Sequence, residues 1–274
     1  MTERSRPAET ARRWVARRAA PLGVRLAAPC GTAARLVSAA RLVSAARLVS
    51  AALFVSAALI GATGGGCSEP SQPFALGEAA YARADFRAAA AHYRAALEQD
   101  RRPVSEAEVR SRLGLTLRKL GETAAAEVEL RTAIRQAEGA TDGHLAAVTR
   151  RYLGRLYADT GRLEAAGQAL DAALDWHRTN GPPSDALKVQ IQRAGLAWVR
   201  HDLEGAYDAY LDAHGRAQVA DRPMELGAAL EGMALLVGQA GAFDEARRLL
   251  VQAEVAYRRA GRADATAQLH ANAA

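Results

Sequence analysis

Metal-ligand or nucleophilic chemistry in this 274-residue chain would have to start from its six histidines and two cysteines. His92, His144, His177, His201, His214 and His270 recur at no common offset. Cys30 and Cys67 lie far apart with no histidine close to either, whereas metal sites draw ligands from short-spaced pairs. Asp175 and His177 are two residues apart and point in different directions on a helix; His201-Asp202 is a neighbouring pair at a turn. His92 sits beside Tyr93 at an apolar position and either packs or faces solvent. There is no HExxH, no GxSxG and no phosphate-cradling glycine loop. The expectation is that every histidine is structural, that no metal or cofactor is bound, and that the chain is not an enzyme.

Charge points the same way. The formal net charge of +6 invites a nucleic-acid reading, but the basic residues are unevenly placed. Residues 1–67 hold ten arginines against two glutamates, so the rest of the chain carries 26 basic and 28 acidic residues. A near-neutral body lacks the one-sign patch that grips phosphates, and no nucleic-acid partner is expected.

The basic segment has the form of an address. Residues 1–47 are arginine-rich and broken by Pro7, Pro21 and Pro29, with a hexapeptide, Arg-Leu-Val-Ser-Ala-Ala, starting at Arg35, Arg41 and Arg47. Residues 48–66 carry no charge and end in Gly64-Gly65-Gly66, directly before Cys67. A positive stretch, an apolar core and small residues before a cut describe a secretory signal. Small residues followed by Cys resemble the lipobox of bacterial lipoproteins, carried here by Gly65, Gly66 and Cys67. The resemblance implies lipidation of Cys67 and cleavage before it, and two acyl chains anchor stably where one would not. Residues 67–73 would then be the lipidated cysteine and a short linker. A single membrane-crossing helix over residues 48–66 is the alternative. Ser68 after the cysteine fits sorting to an outer membrane facing the periplasm, with inner-membrane anchoring or secretion as alternatives.

The elements that must position any function lie beyond residue 73. Aromatic residues are only 5% of the chain, strand-like alternation is missing, and Ala and Leu recur at helical spacing. One unit repeats. Leu113-Gly114, Leu117, Gly121, Ala126, Leu130 and Ala133 are matched, offset for offset, by Leu153-Gly154, Tyr157, Gly161, Ala166, Leu170 and Ala173. Leu76-Gly77, Ala84, Ala89 and Tyr93 open the series, and Met233-Ala234, Gly241, Ala246 and Leu250 end it. In the fourth copy Ala206, Tyr210 and Ala213 keep step, while Gly195 and Trp198 fall one place out, as expected if a residue is missing near His201. Gly121, Gly161 and Gly241 are expected to end helices in a left-handed conformation. Ser105 with Glu108 reads as a capping box, and Asn180-Gly181-Pro182-Pro183 and Asp221-Arg222-Pro223 read as breaks. Trp176 and Trp198 are expected to pack between repeats.

This pattern resembles the tetratricopeptide repeat. The resemblance implies an all-α, right-handed α-solenoid of about five helix pairs across residues 74–260, preceded by a cleaved or disordered leader. The repeats run about 70–103, 105–140, 142–181, 184–220 and 222–260, and residues 261–274 form a C-terminal cap or tail. In that family the first helix of each pair lines a concave groove that binds protein segments. The matching positions are Glu108, Ser111, Leu115, Arg118 and Lys119, then Val148, Arg151, Arg155, Ala158 and Asp159. Ser111, Leu115, Arg118, Lys119, Arg151 and Arg155 are therefore the candidate partner-binding residues, and their arginines and lysine could pair with a partner's carboxylates. The groove asparagines of the family's carboxylate-clamp version are missing, since Asn180 and Asn272 are the chain's only asparagines. The expected role is a membrane-tethered adaptor or assembly factor of a bacterial cell envelope. A self-assembling envelope protein, or a non-catalytic subunit of an envelope enzyme complex, is the alternative.

Overall fold

The computed structural model describes residues 73–100 and 104–262, all in one compact unit. The leader, with Cys67, and most of the expected C-terminal cap lie outside them. No helix among the described residues is long and apolar enough to cross a membrane.

The described residues form helices in pairs and contain no strand. The pairs are α1 (Pro73–Ala82) with α2 (Phe86–Leu97), α3 (Glu106–Leu120) with α4 (Thr123–Gly139), and α5 (Gly143–Asp159) with α6 (Leu163–Asn180). They continue as α7 (Pro183–Val199) with α8 (Leu203–Val219) and α9 (Pro223–Gln239) with α10 (Phe243–Arg259). Each helix packs on the next along the chain, and the first helices of pairs two to five also touch one another in series. This is the expected α-solenoid of five helix pairs.

The turns explain the regularity. From Thr123 onward a helix starts every 20 residues. Almost every helix ends alike: one residue turns left-handed, and the next donates its N–H to the carbonyl five residues back. Glu122 to Leu117, Asp142 to Ala137, Arg162 to Tyr157, Asp202 to Ala197 and Arg222 to Ala217 are such bonds, at 2.8–3.0 Å. This closure satisfies orphan carbonyls at the helix end and fixes the reversal. Gly121, Gly161 and Gly241 take the left-handed place with φ of 79°, 75° and 83°. Side chains of Asp85, Ser105, Asp142 and Asp202 then cap the N–H groups three residues on.

His201, with φ of 63°, corrects the reading of the fourth repeat. It lies 40 residues after Gly161 and 40 before Gly241, in the same left-handed place, so no residue is missing there. Gly195 looks displaced because Ala194, fully buried, fills the small position instead.

Small residues set the closeness of the helices. Ala89, Ala126, Ala166 and Ala206 are fully buried at matching positions in the second helices. A Cβ on Gly154 would lie 2.7 Å from Leu170 Cγ and 3.3 Å from the Ala166 carbonyl oxygen. Leu170 therefore fills the space that Gly154 leaves. One hydrophobic cluster runs from Ala80 to Leu196, so successive pairs share a core that none could close alone. Gly154→Ala should raise helix propensity by roughly 1 kcal/mol, yet the crowding at Leu170 is expected to make it destabilising, by about 1–3 kcal/mol before that gain. In a Leu170→Ala background the same change should become stabilising, and chemical denaturation of the four-member cycle measures the change of sign.

Candidate functional site

Two places bring functional side chains together. The first is the face built by the first helices, α3, α5, α7 and α9. On α5, His144, Val148, Tyr152, Arg155 and Asp159 follow one another at steps of three and four and share one side of the helix. Glu108, Ser111, Val148 and Tyr152 help line a cleft of about 190 Å³ between α3 and α5, and His144 stands at its edge.

The six expected binding residues divide in two. Ser111 is buried, its hydroxyl 2.9 Å from that of Thr149 in the seam between α3 and α5. Leu115 is also buried. Both therefore offer a guest little surface, Ser111 forming part of the cleft's wall. Helix pitch is the reason: α3 and α5 approach closely enough that these positions become interior. The cations do converge. Arg118 reaches across from α3 to pair with Asp159 on α5, and Arg155 Nε donates to the same carboxylate at 3.2 Å. Lys119 stands beside them, so three cations surround one anion. Desolvation, then the charges of Arg118 and Arg155, hold the Lys119 pKa below the ordinary lysine value. Arg151 lies over the ring of its neighbour Tyr152, 4.7 Å from the centroid. Further along the face the charge gives way to Trp198 and the half-exposed Val199. Trp198 Nε1 donates to Gln239 Oε1 at 2.7 Å and so bridges the fourth and fifth repeats as expected.

The second place is the joint between the third and fourth repeats. Pro182 has no N–H, so the closing bond used at the other turns cannot form here. Helix α6 runs on to Asn180, and Gly181 is extended with φ −100° and ψ 169°. Around this joint His144 opens α5, Trp176 and His177 lie in the last turn of α6, and Asp185 lies in the first turn of α7. His144, His177 and Asp185 each offer a ligand atom, and the three atoms lie within 4.8 Å of one another. His177 is only 1% exposed, and neither of its ring nitrogens has a hydrogen-bond partner among the described residues. Burial pushes its pKa down, against the weaker pull of Asp185. Lys188 Nζ donates to Asp185 Oδ1 at 2.8 Å, while Oδ2 lies 4.0 Å from His144 Nε2. Desolvation is the largest single influence on Asp185 and raises its pKa, but the Lys188 hydrogen bond together with the charges of Lys188, His177 and His144 holds it below the ordinary carboxylate value. Trp176 packs against α5 of its own pair: its Nε1 lies 2.4 Å from where a Cβ on Gly143 would be. A cavity of about 850 Å³ lies on the other side of the joint, with His177, Leu187, Gln190 and Leu211 in its wall.

Sequence reasoning set these histidines aside because the six recur at no common offset, and these two stand 33 positions apart. The available signal was positional: each sits beside a repeat joint, and pairing α5 with α6 antiparallel brings the two joints together. A second seam residue was also missed. Thr149 is buried, donates to the Leu145 carbonyl at 2.7 Å and contacts Ser111. Thr149→Val strands the Ser111 hydroxyl and should cost about 1–3 kcal/mol. Ser111→Ala, which leaves Thr149 bonded to Leu145, should cost less. Urea unfolding of both single variants and the double variant tests the coupling.

Residues 153–180 match the tetratricopeptide repeat family, covering the end of α5 and all of α6. No curated protein matches the chain. Among solved structures, BtubC (BKLC) from P. vanneervenii is similar at 16% identity over 95% of this chain and 93% of that one, with a TM-score of 0.55. The Rap conjugation gene regulator of plasmid pLS20, in complex with the Phr* peptide, is similar at 16% identity over 72% of this chain, with a TM-score of 0.63. This chain covers 56% of the Rap regulator's length. Nearly identical TPR-like repeats from Podosopora anserina are similar at 15% identity over 70% of this chain and 95% of that one, with a TM-score of 0.52. At these identities the shared property is the fold.

Proposed function

We propose that this chain is a protein-interaction scaffold, tethered to a bacterial envelope membrane through a lipid on Cys67, that holds an extended segment of another protein along the first-helix face. The observation that carries the binding reading is the joining of α3, α5, α7 and α9 into one continuous surface, basic at one end and apolar at the other. Arg118, Lys119 and Arg155 exceed the charge of Asp159, so this end favours a guest's carboxylates. Trp198 and Val199 offer that guest an apolar seat beyond them. The Rap regulator, alike in fold, is in complex with a peptide, which supports a peptide-like occupant here. The tether rests on the sequence alone: an uncharged stretch and small residues before Cys67.

Charge reversal separates adaptor from self-assembly. Lys119→Glu with Arg155→Glu should weaken capture of acidic segments by about tenfold or more, increasingly so at low salt. Crosslinking in cells with mass spectrometry reads the captured segments, and light scattering should find the oligomeric state unchanged. A changed oligomeric state with unchanged capture would favour self-assembly.

The tether has its own measurement. Cys67→Ser should move the protein from the membrane fraction to the soluble one. Retention at the membrane would point instead to a spanning helix over residues 48–66.

A further inference from the structure

We propose that His144, His177 and Asp185 form a binding site for a single divalent transition-metal ion of the zinc class, clamping the joint between the third and fourth repeats. This site does not depend on how the groove is used.

The donor set decides the class of ion. Two imidazole nitrogens and one carboxylate oxygen suit zinc and its neighbours in the first transition row. Calcium and magnesium prefer cages made largely of oxygen, and one carboxylate is too little for them. Three protein ligands leave a fourth position for water. Ligand atoms around a tetrahedral ion sit ~3.4 Å apart, so the 4.0 Å between His144 Nε2 and Asp185 Oδ2 closes with small side-chain rotations.

Three further features fit an ion better than a chance meeting of side chains. First, His177 is buried with both nitrogens unpartnered, a costly state that coordination would relieve at one of them. Second, Lys188 occupies Asp185 Oδ1 and leaves Oδ2 turned toward His144, which is how a neighbouring group orients a ligating carboxylate. Third, the joint breaks the local rule followed at the other described turns from Gly121 onward. Pro182 removes the closing bond, and Gly181 and Gly143 leave space that the His177 and Trp176 rings fill. A Cβ at Gly181 would lie 2.6 Å from His177 Nδ1. A joint that has lost its usual hydrogen bond gains most from a cross-link, and the three ligands come from three helices in two repeats.

The test uses the purified full chain, stripped of metal with a chelator and titrated with Co²⁺. One equivalent should bind and give ligand-field bands of nitrogen–oxygen coordination, without the near-ultraviolet thiolate band that Cys30 or Cys67 would produce. Zn²⁺ should displace the Co²⁺ and raise the melting temperature. His144→Gln, at an exposed position, and Asp185→Asn should each weaken binding by about 100-fold or more, with helicity unchanged by circular dichroism. His92→Gln should bind as the parent chain does. X-ray absorption on the Zn²⁺-loaded parent chain provides a reading that needs no variant, and should show imidazole scattering in a shell free of sulfur. Sulfur in that shell, affinity in either ligand variant equal to that of the parent chain, or no binding at micromolar Co²⁺ would each overturn the site and leave only a His144–Asp185 ion pair.

Discussion

The structure depends on one hydrogen bond repeated at nearly every turn: the N–H of the second turn residue to the carbonyl five residues earlier. It requires a left-handed residue just before the donor, and it sets the angle at which the next helix departs. With helices of nearly equal length, this closure places Ala126 over Gly114 in the second pair and Ala166 over Gly154 in the third. The left-handed place costs little for glycine and roughly 1–2 kcal/mol for other residues. Thr141, His201 and Asp221 nevertheless occupy it. Packing shared along the solenoid is large enough to hold them there, since a fully buried leucine such as Leu130 is worth ~1.5–3 kcal/mol on its own.

That tolerance decides how legible the sequence was. The pairs, their order and the glycine turns could be read because Gly121, Gly161 and Gly241 follow local chemistry. In the fourth repeat Ala194 takes the small place and Gly195 merely follows it, so the repeat read as shortened although its geometry, with His201 in the left-handed place, is in step. Side-chain depth was harder to read. Arg118 and Arg155 share the Asp159 carboxylate with Lys119 close by, whereas Ser111 and Leu115 lie within the seam, because the closeness of α3 to α5 depends on residues in both helices at once. The histidine cluster left only a positional signal: His144 and His177 meet when the helix pair folds back, and Asp185 joins them when the next pair stacks on it.

The two places differ in what they demand of the fold. The cationic face needs only that first helices lie side by side; its charges are partly solvated, and salt screens them. The joint demands more, since three side chains from three helices must hold their spacing to within fractions of an ångström. Burial fixes the His177 ring, the His144 and Asp185 side chains would have to rotate to close on an ion, and the missing N–H of Pro182 is tolerated because Gly181 takes an extended conformation. Departures from a local rule concentrate where something other than stability is being served, and among the described turns from Thr123 onward this joint is the departure.

Helix α5 connects the two. His144 opens the stripe that continues through Val148, Tyr152, Arg155 and Asp159, so one rigid element carries both a member of the histidine cluster and the acceptor shared by Arg118 and Arg155. Helix α7 brings Asp185 to the cluster and Trp198 to the far part of the face. The distance between the basic and apolar ends of the face is therefore set by the angle between α5 and α7, which is the angle the joint controls. An ion bound at the joint and a segment bound along the face would each favour particular values of that angle. By linkage, each would alter the other's affinity by the same factor, in the same direction when the preferred angles agree. No pathway of side chains is needed between them, because the two sites share the helices themselves.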